Sequence, residues 1–230
     1  MKRLVLVLTY NEQENIAALI ARLRELRYDV LVVDDRGADQ TAEEVASLAA
    51  RDDAVHLLAR PERLGYASAL RDGWRWALEQ GYDQIAQLDA DGSHDPAALP
   101  LLFRALDEVD LAIGSRYCFG GATPSWGFAR RALSRLAGWY ARRALSLPLT
   151  DPTSGFRAWR ADLLRRIAPA CTRAHGFVVL VESACLAVRA GARVREAPIV
   201  FHPRRAGEAK MSRAMVAEGL RVVMDLRHGA

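Results

Sequence analysis

Leu4-Val5-Leu6-Val7-Leu8 is apolar at every position and stops on Thr9-Tyr10-Asn11-Glu12. A strand with one face in water alternates apolar and polar residues, whereas a run without alternation needs cover on both faces, as strands inside a parallel sheet have. Ile16, Leu19, Ile20, Leu23 and Leu26 then recur at helical spacing, the mark of an amphipathic helix. Val30-Leu31-Val32-Val33 repeats the first pattern and closes on Asp34-Asp35. A second helix is expected from Asp39-Gln40-Thr41 to Arg51, and a third strand over residues 55–59. This βαβαβ order predicts an α/β fold with a mainly parallel central sheet flanked by helices and ligands at the carboxyl ends of the strands. The polar punctuation falls at those ends.

Arg63-Leu64-Gly65-Tyr66-Ala67 leads into a helix through Gln80, and residues 84–88 read as a short buried strand. Pro96 suits the first turn of a helix to about Leu106, and residues 110–113 read as a strand ending in Gly114-Ser115-Arg116-Tyr117. There the rhythm breaks. Residues 118–127 read as a loop, and residues 130–145 as a helix carrying Arg130, Arg131, Arg135, Arg142 and Arg143. A polar turn, Asp151-Pro152-Thr153-Ser154-Gly155-Phe156-Arg157, precedes a helical stretch over residues 177–190 with Glu182, a strand over 194–201, and a last helix over 211–227. No repeat or low-complexity linker divides the chain, so residues 1–230 are expected to form one domain.

The strand over 84–88 runs into Asp89-Ala90-Asp91-Gly92-Ser93-His94-Asp95-Pro96. Positions i and i+2 of an extended chain project to one side, so Asp89 and Asp91 face the same way. Two adjacent carboxylates are stable when a cation lies between them. Mg2+ and Mn2+ prefer oxygen, and Mg2+ takes one or two carboxylates and fills its shell with water and substrate phosphates. The stretch therefore predicts a metal-bridged diphosphate. The competing reading is a solvated acidic turn, which a lone Asp-x-Asp often is.

Phosphate binding of other kinds is excluded by motif: no G-x-G-x-x-G and no G-x-x-x-x-G-K-[ST] follows any strand, which removes dinucleotide-binding dehydrogenases and P-loop enzymes. Charge divides the chain. Residues 1–100 carry 11 basic and 18 acidic residues, and residues 101–230 carry 21 and 10. A basic second half suits an anionic membrane surface or a phosphorylated substrate; without aromatics interleaved among the basic residues, nucleic acid is not an expected partner. Three cysteines, Cys118, Cys171 and Cys185, lack metal-ligand spacing and are expected reduced. Lys2-Arg3 before five apolar residues is too short for a signal peptide, and no run approaches a membrane span. The expected location is cytoplasmic, with peripheral contact at the cytoplasmic face of the membrane as an option.

Thr9-Tyr10-Asn11-Glu12, Val33-Asp34-Asp35, Asp89 to Pro96, Gly114-Ser115-Arg116-Tyr117, the turn Asp151 to Arg157, and Pro198-Ile199 with Phe201, Arg204, Gly207 and Lys210-Met211-Ser212 follow in one order. That order resembles the branch of glycosyltransferase family 2 that contains polyprenyl (dolichyl) phosphate mannose synthases, over nearly the whole chain. The resemblance implies a GT-A fold, a nucleotide-sugar donor, usually GDP-mannose, a polyprenyl monophosphate acceptor, inversion at the sugar carbon, and Mg2+ or Mn2+. By position it implies that Tyr10, Glu12 and Asp35 hold the nucleotide. It assigns Asp89, Asp91 and Ser93 to the metal, and Arg116, Arg130, Ser134, Arg204 and Lys210 to the phosphates, with Asp91, Arg116 and Arg130 closest to the chemistry. Residues 1–115 would form the nucleotide-sugar and metal half, and 116–230 the basic acceptor half. Leu8, Gly37, Ser93 and Ala209 depart from the family's usual proline, serine, glutamine and serine.

A phosphate nucleophile is already anionic, so it needs fixed positive charge rather than a base, and arginine supplies a planar donor fork for it. His94 then reads as a structural turn residue, and Glu182 and Glu196 as partners of nearby arginines. Three alternatives stand: a UDP-sugar donor (glucose or N-acetylglucosamine), a saccharide hydroxyl acceptor with Glu182 as the base, or a non-catalytic nucleotide- or lipid-phosphate-binding module. Residues 116–145 and the last helix are the expected membrane or membrane-partner contact, although core packing is the first expectation for the Met-Val-Leu pattern of that helix.

Overall fold

Strands β1 (Arg3–Thr9), β2 (Asp29–Asp34), β3 (Val55–Ala59) and β4 (Gln84–Asp89) alternate with helices α1 (Gln13–Glu25), α2 (Thr41–Ala49) and α3 (Tyr66–Glu79). Then come α4 (Leu99–Ala105), β5 (Leu111–Ser115), α5 (Phe128–Leu145), β6 (Arg157–Arg160), α6 (Ala161–Ile167), α7 (Val179–Arg189), β7 (Val194–Pro198) and α8 (Arg213–Arg227). The computed structural model describes residues 1–203 and 213–228. Arg204, Gly207, Lys210, Met211 and Ser212 lie outside the described residues.

The seven strands form one sheet in the order β3-β2-β1-β4-β6-β5-β7. All pairs are parallel except those of β6 with β4 and β5. Both faces of β1 are covered: Leu4 and Leu6 join the core under α3, α6, α7 and α8, and Val5 and Val7 join the core under α1, α2 and α4. That double burial is why the run lacks alternation. Gln87, inside β4, is tolerated because its Oε1 accepts the indole N–H groups of Trp74 at 3.3 Å and Trp159 at 3.1 Å.

Two local expectations are corrected, and one strand was not expected. Pro96 opens a single 3-10 turn, Pro96–Ala98, and the α-helix proper begins at Leu99. The last strand ends at Pro198, and beyond it Val200 forms an isolated bridge to Ala122. The four residues Arg157-Ala158-Trp159-Arg160, unassigned from sequence, are β6, the antiparallel strand between β4 and β5. Running against its neighbours, β6 begins at the end of the sheet where β4 and β5 finish, so the turn at 151–156 is delivered beside Asp89 and Arg116.

Candidate active site

The crevice lies at the carboxyl ends of β1, β2, β4 and β5, beside the switch in strand order around β1, where ligands bind in open α/β sheets. On its acidic side, Asp89 ends β4 with a side chain 33% exposed, and Asp91 is nearly buried in the turn that follows. The Ser93 backbone N–H donates to Asp91 Oδ1 at 3.0 Å, fixing that carboxylate. Ser93 Oγ is enclosed and has no hydrogen-bond partner among the described residues. His94 is sandwiched by Phe156 and Phe201 and accepts the Asp89 backbone N–H on Nδ1 at 3.2 Å. Burial pulls its imidazole below the ordinary value against the Asp89 and Asp91 charges, and the hydrogen bond accepted at Nδ1 ties the ring to the strand end.

Among the described residues no group of three or more His, Cys, Asp or Glu side chains is placed to hold a metal. Two carboxylates at one strand end, one of them partly open, still fit a hard divalent ion whose shell is completed by water and donor phosphates. The enclosed, orphaned Ser93 hydroxyl adds an oxygen next to them, where a longer glutamine is common in the family.

The nucleotide residues divide. Arg63 lays its guanidinium 3.9 Å above the centre of the Tyr10 ring and donates to the Tyr10 hydroxyl at 3.2 Å. Glu12 Oε2 accepts from Asn15 Nδ2 at 3.0 Å, and its backbone N–H reaches Thr41 Oγ1. Asp35 is almost fully occupied internally: Oδ1 accepts from Arg60 NH1 at 2.6 Å and from the Leu64 N–H at 2.9 Å, and Oδ2 accepts from the Gly65 N–H at 2.8 Å. Asp35 therefore ties the end of β2 to the loop that launches α3. Gly37, in place of the family's serine, has a packing reason, since a Cβ there would collide with Asn11 Oδ1 and lie 2.8 Å from the Asn11 nitrogen.

The basic side is organised around Arg116. Nε and NH2 each donate to Asp151 at 2.7 Å, and NH2 also reaches Thr153 Oγ1 at 2.8 Å. Its NH1 end makes no hydrogen bond among the described residues, so those two donors remain for a ligand. Burial alone would raise the Asp151 carboxyl, but the Arg116 hydrogen bonds and charge outweigh it and hold it below the ordinary range. Tyr117, Trp126 and Phe201 surround the Arg116 guanidinium. Arg130 sits 4.1 Å above the Trp126 ring, and the Tyr117 hydroxyl donates to Ser134 Oγ at 2.7 Å. Arg116, Arg130 and Ser134 are thus linked through two aromatic residues. The sequence-predicted Arg204 and Lys210 lie outside the described residues.

Among the described residues, neither Glu182 nor Glu196 pairs with an arginine. Glu182 is wholly buried and accepts the backbone N–H groups of Thr172, Arg173 and Ala174 at 2.8–3.0 Å. Glu196 takes the N–H groups of Thr150 and Asp151 at 2.7 and 2.8 Å, holding the Asp151 turn. Asp151 and Trp126 escaped the sequence reading; an acidic residue heading a glycine-bearing turn was the available signal for the first. Arg157 is fully buried with no carboxylate partner among the described residues, and its guanidinium donates to the Pro152, Ser154 and Leu180 carbonyls and to Ser183 Oγ. Burial pushes it down to about 10, which leaves it charged near neutral pH. A separate cleft of about 490 Å³, lined by Asp110, Arg160, Asp162 and Arg193 among others, opens at the opposite end of the sheet, with Arg193 already paired to Asp110.

Residues 4–168 match the family described as Glycosyl transferase family 2. The chain is 41% identical over 222 residues to undecaprenyl-phosphate mannosyltransferase of Micrococcus luteus, covering 96% of this chain and 91% of that protein. It is 36% identical over 223 residues to polyprenol monophosphomannose synthase of Mycolicibacterium smegmatis, covering 95% and 84%. In fold it is similar to a mannosyltransferase from Pyrobaculum calidifontis solved with GDP-Man and Mn2+, with a TM-score of 0.59, 19% identity, and coverage of 90% of this chain and 58% of the other. The sheet is the mostly parallel, helix-flanked sheet of the GT-A nucleotide-sugar transferases. The matched segment runs from the second residue of β1 through β6 and holds Asp89, Asp91, Arg116 and Asp151, and on that ground the chain is a glycosyltransferase belonging to family 2.

Proposed function

We propose that the chain transfers mannose from GDP-mannose to a polyprenyl monophosphate, with inversion, using Mg2+ or Mn2+ held by Asp89 and Asp91. One arrangement supports the reading: Asp89 ends β4 and Asp91 follows it, Arg116 follows β5 with its NH1 making no hydrogen bond among the described residues, and the candidate bases are committed elsewhere. Glu182 spends its carboxylate on three backbone N–H groups, and His94 spends Nδ1 on one. A hydroxyl acceptor needs a base; a phosphate monoester is already ionised and needs only orientation and charge neutralisation.

In this reading the bound cation supplies charge to the leaving diphosphate. Tyr10 and Glu12 stand at the end of β1 to meet the nucleoside. Arg116, Arg130 and Ser134 orient the acceptor phosphate, and Asp151 keeps the Arg116 fork aimed. A phosphate oxygen forms a bond to the sugar C1 from the face opposite the diphosphate, the bond from C1 to the β-phosphate oxygen breaks, and GDP leaves. The names of the Micrococcus and Mycolicibacterium relatives support the acceptor class, and the GDP-Man and Mn2+ of the Pyrobaculum complex are a donor and a cation of the proposed kind.

A lipid acceptor calls for a bilayer contact. No helix among the described residues is long and apolar enough to cross a membrane. Phe128, Leu136 and Trp139 nevertheless share an exposed face of α5, with Phe128 86% and Trp139 57% exposed, among Arg135, Arg142 and Arg143. On the neighbouring α8, Val222, Val223 and Leu226 are buried while Val216, Leu220 and Met224 are exposed. The expected core packing of the last helix thus accounts for Val222, Val223 and Leu226. Aromatic and basic residues mixed on one face suit an anionic interface.

The test is transfer of labelled sugar from GDP-mannose, UDP-glucose or UDP-N-acetylglucosamine into an organic-extractable product with polyprenyl phosphate and Mn2+ or Mg2+. Extractable, mild-acid-labile label from GDP-mannose alone is the expected result. Label from a UDP-sugar would replace the donor, and no lipid product from any donor would remove the acceptor.

A further inference from the structure

Glu196 lies on β7, in register with Ile113 two residues before the end of β5. Its Oε2 accepts the Thr150 N–H at 2.7 Å, its Oε1 accepts the Asp151 N–H at 2.8 Å, and both oxygens lie 2.9 Å from Thr150 Oγ1. An ionised carboxylate only accepts, so the Thr150 hydroxyl spends its proton on Glu196. Ser115 Oγ lies 3.0 Å from Thr150 Oγ1. With the Thr150 proton committed, Ser115 is the donor of that bond. Its own lone pairs then accept the Cys118 N–H at 3.0 Å and the Tyr117 N–H at 3.3 Å. One carboxylate thus sets the direction of a chain of hydrogen bonds that ends on the two residues after Arg116.

Arg116 therefore has two anchors, and both lead to Glu196. Asp151 grips its guanidinium and its backbone N–H, and Glu196 holds the backbone of Thr150 and Asp151. The segment beyond Arg116 hangs on Ser115 Oγ, which Glu196 reaches through the Thr150 hydroxyl. The arginines beside Glu196 in sequence, Arg193 and Arg195, are paired with Asp110 and Glu108. We propose that Glu196 is a positioning residue for Arg116, fixing through these two paths where the NH1 end of the guanidinium stands for the acceptor phosphate. The proposal rests on the acceptor reading above and extends it to a residue that touches no substrate. A carboxylate serving the fold alone would be felt in stability and equally at both substrates. A positioning carboxylate is felt at the acceptor and spares the donor, whose Asp91 is held separately by the Ser93 N–H.

Transfer kinetics and NMR spectra of the arginine side-chain N–H groups, on wild type, Glu196→Gln, Thr150→Val and Thr150→Ser, test this. Thr150→Val keeps both backbone bonds to Glu196 and cuts the chain to Ser115. It is expected to raise the KM for polyprenyl phosphate roughly fivefold to tenfold, the size of one lost hydrogen bond. The KM for the sugar nucleotide that wild type uses should stay within about twofold. Thr150→Ser keeps the hydroxyl and should return the acceptor KM to within about twofold of wild type. Glu196→Gln turns an amide donor towards groups that themselves donate, and should weaken the acceptor at least as much as Thr150→Val. Without any substrate, the Arg116 Nε–H signal, assigned by its loss in Arg116→Lys, should exchange with water several-fold faster in Glu196→Gln and Thr150→Val. An unchanged acceptor KM in Thr150→Val, equal rises for donor and acceptor, or a Thr150→Ser enzyme as weak as Thr150→Val would overturn the proposal. If wild type makes no lipid product from any donor, the acceptor reading fails by itself. The Arg116 exchange rate then decides the positioning role, and unchanged exchange in Thr150→Val overturns it even where Glu196→Gln does not fold.

Discussion

Asp151 grips Arg116 at three points, taking Nε and NH2 at 2.7 Å and the Arg116 backbone N–H at 3.1 Å, with the carboxylate wholly buried. Removing one partner of such a pair strands the other charge. Asp151→Asn is expected to cost about 3–5 kcal/mol of stability, read from urea unfolding. The Asp151 carboxyl is held below its ordinary value in the folded chain. Its contribution is therefore complete above the unfolded value of about 4 and is lost as pH falls through the folded value. The wild-type urea midpoint should drop in acid more steeply than that of the variant; parallel curves would show that the pair does not control acid stability.

Asp91→Asn keeps the turn's shape and removes one carboxylate from the proposed metal site. The Mn2+-dependent part of GDP affinity should disappear, and transfer should fall on the order of 100-fold or more, as loss of several kcal/mol of charge stabilisation requires. Undiminished metal-dependent binding would show that Asp91 does not hold the ion.

Glu182→Gln distinguishes a phosphate acceptor from a hydroxyl acceptor. The amide keeps one acceptor oxygen for the three backbone N–H groups at 172–174, so a stability loss of about 1–3 kcal/mol is expected. Activity per folded molecule should remain. A loss of roughly 100-fold or more, the usual contribution of a general base, would restore the hydroxyl reading.

Replacing Phe128 and Trp139 together by Glu puts two negative charges on the exposed face of α5. Wild type should float with vesicles containing anionic lipid at low salt and less so at high salt, while the double variant stays at the bottom of the gradient. Equal flotation of the two proteins would move the lipid contact elsewhere.

Gly37→Ser, which restores the residue common in the family, should lower stability by about 1–3 kcal/mol, because the new Cβ meets the backbone nitrogen of Asn11 at 2.8 Å. Thermal melting decides it; an unchanged melting temperature would mean that the Asn11 turn has room to shift.

The parts of the fold legible in the sequence were those with a period. Unbroken apolar runs marked β1 and β2, and the 3.6-residue repeat marked α1, because burial on two faces or on one stripe leaves its imprint locally. β6 left none: two of its four residues are arginines, and Arg157 is satisfied by carbonyls from the 152–154 turn and α7. The site followed the same division. The Asp89-x-Asp91 step stood out as a motif, but its geometry is not that of strand alternation: β4 ends at Asp89, and Asp91 lies in the turn that follows. Asp35, expected at the nucleotide, also has internal partners in Arg60, Leu64 and Gly65, about 25 to 30 residues away in the chain. Glu182 and Glu196 looked like counterions and are backbone acceptors. Partners so distant in sequence are chosen by tertiary packing, to which composition and spacing are blind.

The insertion of β6 between β4 and β5 has a consequence for how turnover is achieved. Asp89 at the end of β4, Gly155 just before β6 and Arg116 just after β5 lie at the same end of three adjacent strands hydrogen-bonded to one another. No hinge separates the carboxylate side from the guanidinium side along this path. Alignment of the two sides is fixed when the polypeptide folds and need not be rebuilt in each cycle, so adjustment between binding and release falls to the loops above the sheet. An inserted residue within β6 would shift one side relative to the other and misalign them for every round of reaction.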